Sequence, residues 1–273
     1  MHDDDYWQED GGRNWVANID ATEALLEPLS VHLYERAAAQ PGETVLDIGC
    51  GGGRTSLELA SSVGERGTVL GVDVSGPILA VAHERGAAVD NLEFRLANAE
   101  TANLGADRFD LLFSRFGVMF FDDPLAAFTN LRRSLKPGGR IAFLTWRSME
   151  ENPWLSAPAA VAFEILPPPE PPDPAAPGPF SLADELRTTD LLEAAGFNEV
   201  SHTPVNHEMH WADVDSTLNY LLNMGPAGAM LREADDPDLE QRVRTAVGDL
   251  LNKFLTTDGV RMQSAVWIVT ASN

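Results

Sequence analysis

An apolar strand that runs into a glycine-packed turn constrains this chain more than any other feature. Residues 43–54 read Glu-Thr-Val-Leu-Asp-Ile-Gly-Cys-Gly-Gly-Gly-Arg, and helix-forming sequence follows from Thr55. Glycine lets the backbone approach a ligand closely, and the first N–H groups of the next helix point at whatever the turn holds. The segment therefore predicts a nucleotide-type binding site between a strand and a helix.

Two glycine patterns compete for this turn. The dinucleotide fingerprint of dehydrogenases needs glycine at the first, third and sixth positions, and here the sixth position is Arg54. The other pattern, Asp-x-Gly-x-Gly-x-Gly, is satisfied by Asp47, Gly49, Gly51 and Gly53. The second pattern fits better, so a nucleotide-dependent oxidoreductase is the less favoured alternative.

The periodicity of the chain predicts an α/β fold. Apolar strands alternate with amphipathic helices through short connections, which is typical of a doubly wound, mostly parallel sheet. Seven strands are predicted, at 43–48, 67–72, 92–96, 109–114, 140–145, 197–207 and 260–270.

Two proline-rich or helical stretches interrupt this pattern, and we interpret them as insertions that form a cap over the strand ends. The predicted division is an N-terminal lid segment (1–20), a ligand-binding core (21–147), a Pro-rich insertion (148–179), a continuation of the core (180–210), a helical cap (211–258) and a final core strand (259–273).

Composition narrows the class of protein and of partner. The net charge of −23 disfavours nucleic acid, since a polyanion would be repelled and no strong basic cluster is visible. The single cysteine, Cys50, excludes an internal disulfide and any zinc site built from cysteines. No apolar run is long enough for a membrane span, and the acidic first residues lack the basic start of a signal peptide, so we expect a cytoplasmic protein.

Ligands of open α/β sheets bind beyond the carboxyl ends of the strands, and the second strand ends at Asp73. Its two carboxylate oxygens can accept hydrogen bonds from both hydroxyls of a ribose. The alternative is that Asp73 only caps the next helix.

Taken together, residues 43–146 resemble the core of the class I S-adenosylmethionine-dependent methyltransferases, in particular the small-molecule enzymes of the ubiquinone/menaquinone-biosynthesis type. The resemblance rests on four motifs in order: the glycine turn, Asp73, Asn98-Ala99-Glu100, and the run that starts at Ser114. Asn98 departs from the aspartate usual in the family. The resemblance implies S-adenosylmethionine as the cofactor, held by Asp47, Gly49, Gly51, Gly53, Asp73, Val74, Asn98, Ala99 and Ser114.

Aromatic and sulfur-containing residues are the candidates for the rest of the pocket. Tyr6 and Trp15 belong to an N-terminal aromatic segment that, by the same resemblance, folds over the cofactor; a surface staple on the helix 21–39 is the alternative. Ring faces and polarisable sulfur suit a neighbouring sulfonium. We expect an acceptor pocket formed by Phe116, Met119, Trp154 and Trp211, with plain core packing as the alternative.

Methyl transfer from a sulfonium depends mainly on orientation and on a dry pocket, so a general base is optional. The candidates for a base are His202, His207 and His210, of which at most one is expected to reach the pocket. Solvent exposure is the ordinary alternative for each. No metal is expected, because Trp146-Arg147 follows the fifth strand where oxygen ligands would be needed.

The sequence thus predicts a methyltransferase that acts on a small, apolar or aromatic acceptor. A non-catalytic domain that binds S-adenosylmethionine or its demethylated product remains an alternative. The apolar residues of the cap could also serve a homodimer interface.

Overall fold

The computed structural model describes residues 3–166, 176–234 and 236–273. The strands are β1 (Thr44–Ile48), β2 (Thr68–Asp73), β3 (Leu92–Leu96), β4 (Phe109–Arg115), β5 (Leu135–Trp146), β6 (Asn198–Trp211), β7 (Leu255–Thr256) and β8 (Gly259–Ser272). The helices are α1 (Asp3–Gln8), α2 (Asp10–Ala17), α3 (Ile19–Ala37), α4 (Arg54–Val63), α5 (Gly76–Gly86), α6 (Pro124–Ser134), α7 (Pro153–Phe163), α8 (Glu185–Ala194), α9 (Val214–Met224), α10 (Pro226–Ala234) and α11 (Pro237–Leu251).

The strands form one sheet in the order β3-β2-β1-β4-β5-β8-β6, and the two-residue strand β7 pairs with β8. Strands β1 to β5 pair in parallel, whereas β8 runs antiparallel to both β5 and β6. The predicted α/β class with a mostly parallel sheet of seven main strands is therefore confirmed.

Burial explains why the central strands read as continuous apolar runs. Four residues of β1, from Val45 to Ile48, are buried, because helices cover both faces of a parallel sheet. The largest fully buried side chains include Phe109, Phe113, Phe128 and Phe143, which lie in or beside β4 and β5. This core fixes the positions of the strand ends, and the strand ends position the site.

The structure differs from the sequence prediction at several element boundaries. The fifth strand was expected to begin at Arg140, but β5 already begins at Leu135. The sixth strand was expected to end near His207, but β6 continues to Trp211 because it pairs with β8 as far as Val260. The N-terminal segment is helical, with α1 and α2 preceding α3. Residues 167–175 of the predicted Pro-rich insertion lie outside the described residues, so the domain boundaries stay a prediction.

Helices α9, α10 and α11 connect β6 to β7, and α11 and α10 pack against α7. The helical cap is therefore built from two parts of the chain. Within the part of the chain that the structure describes, no helix has the length and apolar character needed to cross a membrane.

Candidate functional site

A cavity of about 530 Å³ lies at the carboxyl ends of β1, β2 and β4, as expected for an open α/β sheet. The core, the N-terminal helices and the cap all contribute to it. Its lining includes Tyr6, Trp7, Trp15, Thr22, Gly49, Gly51, Asp73, Val74, Asn98, Ala99, Glu100, Arg115, Phe116, Met119, Trp146, Trp154 and Tyr220.

The glycine turn after β1 leaves space that side chains would fill. Gly49 has φ +65°, and a Cβ there would lie 2.7 Å from Gly117 Cα. Gly51 has φ +55° and lines the cavity, where a Cβ would meet no atom within 4 Å. Gly49 thus permits close backbone packing, and Gly51 leaves open space for a ligand to approach the main chain.

Asp47 supports the turn from below and does not line the cavity. Its buried carboxylate accepts hydrogen bonds from Thr55 Oγ1 at 2.7 Å and from Ser56 Oγ at 2.6 Å. Burial raises the pKa of Asp47 to about 6, although these hydrogen bonds and the charge of Arg115 oppose the shift. The residue ties the end of β1 to the first turn of α4.

Asp73 combines a structural contact with exposure to the cavity. Its Oδ2 accepts a hydrogen bond from the Gly51 N–H at 2.9 Å, and its Oδ1 accepts one from the Ser75 N–H at 2.9 Å. The cap of α5 is Ser75, whose side chain accepts from the Ile78 N–H. Burial raises the pKa of Asp73. A carboxylate has about four acceptor positions, so Asp73 keeps acceptor capacity for a ligand hydroxyl.

The loop after β3 forms the neighbouring part of the wall. Asn98, Ala99 and Glu100 line the cavity together with Val74. The Asn98 Oδ1 accepts a hydrogen bond from the Glu100 N–H at 2.9 Å, which fixes the amide. Asp73, Val74 and this loop therefore form one continuous wall at the β2–β3 side.

A chain of aromatic rings connects the floor of the cavity to the cap. Phe116 stacks on Trp146 at 4.3 Å between ring centroids, and Trp146 lies 5.3 Å from Trp154. Trp154 is 6.2 Å from Trp211, which is 6.1 Å from Tyr220. Four of these rings line the cavity, whereas Trp211 lies behind Trp154 and Tyr220 and is absent from the lining. We expected Trp211 to line the pocket, and the structure gives it a supporting position.

Helices α1 and α2 close one side of the cavity. Trp7 contacts Trp15 and Phe120 edge to face, with centroids 5.9 and 5.7 Å apart. The Ser75 hydroxyl donates to the Trp7 carbonyl at 2.7 Å, and the Gln8 amide donates to the Val74 carbonyl at 2.5 Å. The N-terminal helices are thus held against the loop that follows Asp73.

Two further predicted cofactor residues lie outside the lining. Gly53, at φ +80°, precedes α4, and a Cβ there would lie 2.7 Å from the Phe94 ring. Ser114 is buried, donates its hydroxyl to the Ile48 carbonyl at 2.7 Å and accepts from the Gly117 N–H at 3.1 Å. Both residues shape the backbone next to the cavity.

The three histidines proposed as bases lie elsewhere, and no described residue of the lining is a histidine. His202 packs edge to face on Trp267 at 5.7 Å, and burial lowers its pKa. Burial also lowers the pKa of His207. The Nε2 of His210 lies 2.8 Å from the Asp258 carbonyl oxygen. The long strand β6 carries all three away from the strand ends that form the cavity.

Sequence reasoning assigned no role in the pocket to many of the lining residues, among them Thr22, Arg115, Trp146 and Tyr220. Arg115 and Trp146 end β4 and β5, so the strand-end rule points to them. Thr22 and Tyr220 lie within helices whose orientation over the sheet has no local sequence signal.

A second cavity of about 540 Å³ lies between α3 and α4. Its charged residues are paired with one another: Arg85 Nη1 lies 2.8 Å from Glu23 Oε1, and Arg54 Nε lies 3.6 Å from Glu27 Oε2. These pairs leave it less suited to a ligand than the cavity at the strand ends.

Comparison with known proteins agrees with this geometry. Residues 46–143, which include the glycine turn, Asp73 and the strand ends through β4, match the family model described as a methyltransferase domain. This part of the chain is therefore similar to a methyltransferase domain. S-adenosylmethionine is the cofactor of the class I methyltransferases, whose fold the chain shares, and the open space at Gly51 beside the Asp73 carboxylate fits such a nucleoside.

Curated relatives of the methyltransferase domain cover only part of the chain. The ubiquinone/menaquinone biosynthesis C-methyltransferase UbiE of Shewanella frigidimarina is 31% identical over 139 residues, which are 50% of this chain and 55% of that protein. The aklanonic acid methyltransferase DauC of a Streptomyces species is 35% identical over 120 residues, or 42% and 54% of the two chains. The chain thus spans about half the length of the curated relatives it matches.

Solved structures share the fold over most of the chain, beyond the segment that the family model matches. YcgJ of Bacillus subtilis has a TM-score of 0.58 at 18% identity, covering 90% of this chain and 97% of its own. A SAM-dependent methyltransferase of Aquifex aeolicus has a TM-score of 0.52 at 23% identity, covering 70% and 90%. At these identities the likeness concerns the fold alone.

Proposed function

We propose that this protein transfers a methyl group from S-adenosylmethionine to a small acceptor with an apolar or aromatic body. One observation carries the proposal: a single cavity joins the glycine turn and Asp73 to the aromatic wall of Phe116, Trp146 and Trp154. A nucleoside cofactor and a flat acceptor can therefore share one enclosed space.

The residues divide into a cofactor side and an acceptor side. When bound, S-adenosylmethionine supplies a methyl group on a positively charged sulfur. Asp73 accepts hydrogen bonds from the ribose hydroxyls, and Asn98 with Val74 and Ala99 forms the wall for the adenine. Phe116 and Met119 present a ring face and a thioether, which tolerate the positive charge without attacking it. The N-terminal helices and the aromatic wall exclude water.

Orientation rather than proton removal is the chain's main contribution. The three candidate histidines lie outside the lining, so the proposed mechanism assigns none of them to catalysis. Holding two reactants in line within a dry pocket lowers the activation free energy substantially, because the entropy of aligning them is already lost on binding. A small-molecule acceptor agrees with the net charge of −23, which disfavours polyanionic substrates.

Two glycines provide a matched test of the cofactor site. Gly51 and Gly138 both have positive φ, at +55° and +76°, and in both a Cβ would meet no atom within 4 Å. Gly138 lies in the turn of β5, outside the cavity lining. We expect Gly51→Ala to weaken S-adenosylmethionine binding at least about tenfold in calorimetry, because its Cβ enters the ligand space. Gly138→Ala should lower the melting temperature similarly and leave binding unchanged.

Equal affinity in both glycine variants would contradict a cofactor held against the turn. Formation of S-adenosylhomocysteine with members of an aromatic acceptor panel tests turnover itself. Binding of S-adenosylmethionine with no turnover on any acceptor would favour the non-catalytic alternative.

A further inference from the structure

Two buried residues with hydroxyl groups line the cavity, one from the core and one from the cap. Thr22 lies on α3 and Tyr220 on α9, and both line the cavity. Their exposed fractions are only 2% and 7%. Burial raises the pKa of Tyr220, while a hydrogen-bonding interaction with the Thr22 side chain opposes that shift. Tyr220 therefore keeps its proton and is a donor at neutral pH.

The pair has a donor to spare. Thr22 Oγ1 is buried and has no hydrogen-bond partner of regular geometry among the described residues. A hydroxyl carries one proton that it can donate, and no described residue accepts that of Thr22. This proton is left for a group in the cavity. Because an unsatisfied buried donor costs free energy, the pair indicates that an acceptor atom binds there.

Charged side chains of both signs line the cavity: Asp73, Glu100, Asp122, Arg115 and Arg232. The carboxylates of Asp73 and Glu100 follow β2 and β3, at one half of the sheet. Arg115 ends β4, at the other half, and its guanidinium donates to Ser30 Oγ on α3 at 3.1 Å. It forms no ion pair with any described residue, although its charge acts on the buried Asp47 carboxylate. Arg115 therefore adds positive charge on the α3 side of the cavity, and α3 also carries Thr22.

We propose that Tyr220 and Thr22 bind an oxyanion of the acceptor, a phenolate or enolate oxygen on a planar ring system. This rests on the proposed methyltransferase function and names its substrate class. The stacked Phe116 and Trp146 and the tilted Trp154 supply the flat wall for such a ring. The hydroxyl pair is a positioning device that donates hydrogen bonds and accepts no proton. An acceptor already ionised is nucleophilic without a base, which agrees with a lining free of histidine.

Paired probes and a matched tyrosine test this proposal. The probes are 4-nitrophenolate, at a pH above the pKa of 4-nitrophenol, and nitrobenzene, which has the same ring without the oxygen. Calorimetry measures the affinity of each for the protein saturated with S-adenosylhomocysteine. We expect the wild-type protein to prefer the phenolate, and Tyr220→Phe to lose that preference about tenfold or more. Thr22→Val should lose it in the same direction.

The Tyr34 hydroxyl is buried and has no hydrogen-bond partner among the described residues, and its ring stacks on Phe113 outside the cavity lining. Tyr34→Phe is therefore the control. It should keep the wild-type preference, and the affinity for S-adenosylhomocysteine should be equal in all four proteins. An unchanged preference in Tyr220→Phe, an equal loss in Tyr34→Phe, or no phenolate preference in the wild type would overturn the proposal. Failure of the wild type to bind S-adenosylhomocysteine would instead overturn the proposed function, and the probes would be compared on the unliganded protein.

Discussion

At the scale of single residues, Asp47 fixes the geometry of the glycine turn but contributes less to stability as the pH rises. Burial raises its pKa from 3.8 to about 6, so the folded protein holds this proton more tightly than the unfolded chain does. The stabilising contribution is therefore fully present below pH 3.8 and is lost as the pH rises through about 6. The ionised form nevertheless accepts the two hydroxyl hydrogen bonds that tie β1 to α4.

Asp47→Asn should remove this dependence. We expect the unfolding free energy to fall less between about pH 4 and about pH 7 than in the wild type, by roughly 2 kcal/mol. Denaturant titrations at the two pH values measure this difference. Asp110→Asn provides a control of opposite sign: burial opposes the shift, but Lys136 and the Thr44 N–H outweigh it and lower the pKa of Asp110. The stabilising contribution of Asp110 is present at neutral pH and lost on acidification. If the unfolding free energy of Asp47→Asn changed with pH as it does in the wild type, the role assigned to Asp47 would be refuted.

At the scale of elements, α1 and α2 cover one side of the cavity through a small set of identified contacts. Trp7 contributes a ring to the cavity and contacts Trp15 and Phe120. Trp267 on β8 is a comparable tryptophan outside the lining, with its Nε1 donating to the Ala183 carbonyl at 2.9 Å. Variants of Trp7 and Trp267 can therefore distinguish an effect on packing from an effect on the closure of the cavity.

Trp7→Ala should speed the release of S-adenosylhomocysteine and weaken its binding about tenfold, because it opens the side of the cavity. Stopped-flow fluorescence measures the release rate. Trp267→Ala should lower the melting temperature and leave the release rate unchanged. If both variants released the ligand equally fast, the N-terminal helices would have no covering role.

The elements also show how much of the fold can be predicted from the sequence. The succession of strands along the chain follows from local periodicity. The gathering of the polar groups at the ends of β1, β2 and β3 follows from the parallel sheet, which brings the strand ends to one edge. The length of β6 does not, because its last four residues are held by pairing with β8, far away in the chain. Tyr220 lines the same cavity as Thr22 only because α9 packs over the site, and such tertiary placement leaves no periodic trace in α9 itself.

At the scale of the whole molecule, the net charge of −23 opposes the compact state. Several ion pairs partly offset this repulsion, such as Arg140 with Glu43 at 2.7 Å and Lys136 with Asp110 at 2.7 Å. Exposed pairs contribute only about 0–1 kcal/mol each, whereas unpaired carboxylates act on one another across the entire surface. The repulsion should therefore dominate the response of this protein to salt.

We expect the melting temperature to rise as sodium chloride increases from about 0.01 M to about 0.15 M, where the Debye length shortens from about 30 Å to about 8 Å. Differential scanning calorimetry of the full chain measures the shift. Potassium chloride at equal ionic strength should give the same rise, because screening depends on ionic strength and not on the identity of the cation. A melting temperature that falls with salt would mean that ion pairs such as Arg140–Glu43 outweigh the surplus of carboxylates, and a rise with only one of the two salts would indicate a specific cation site.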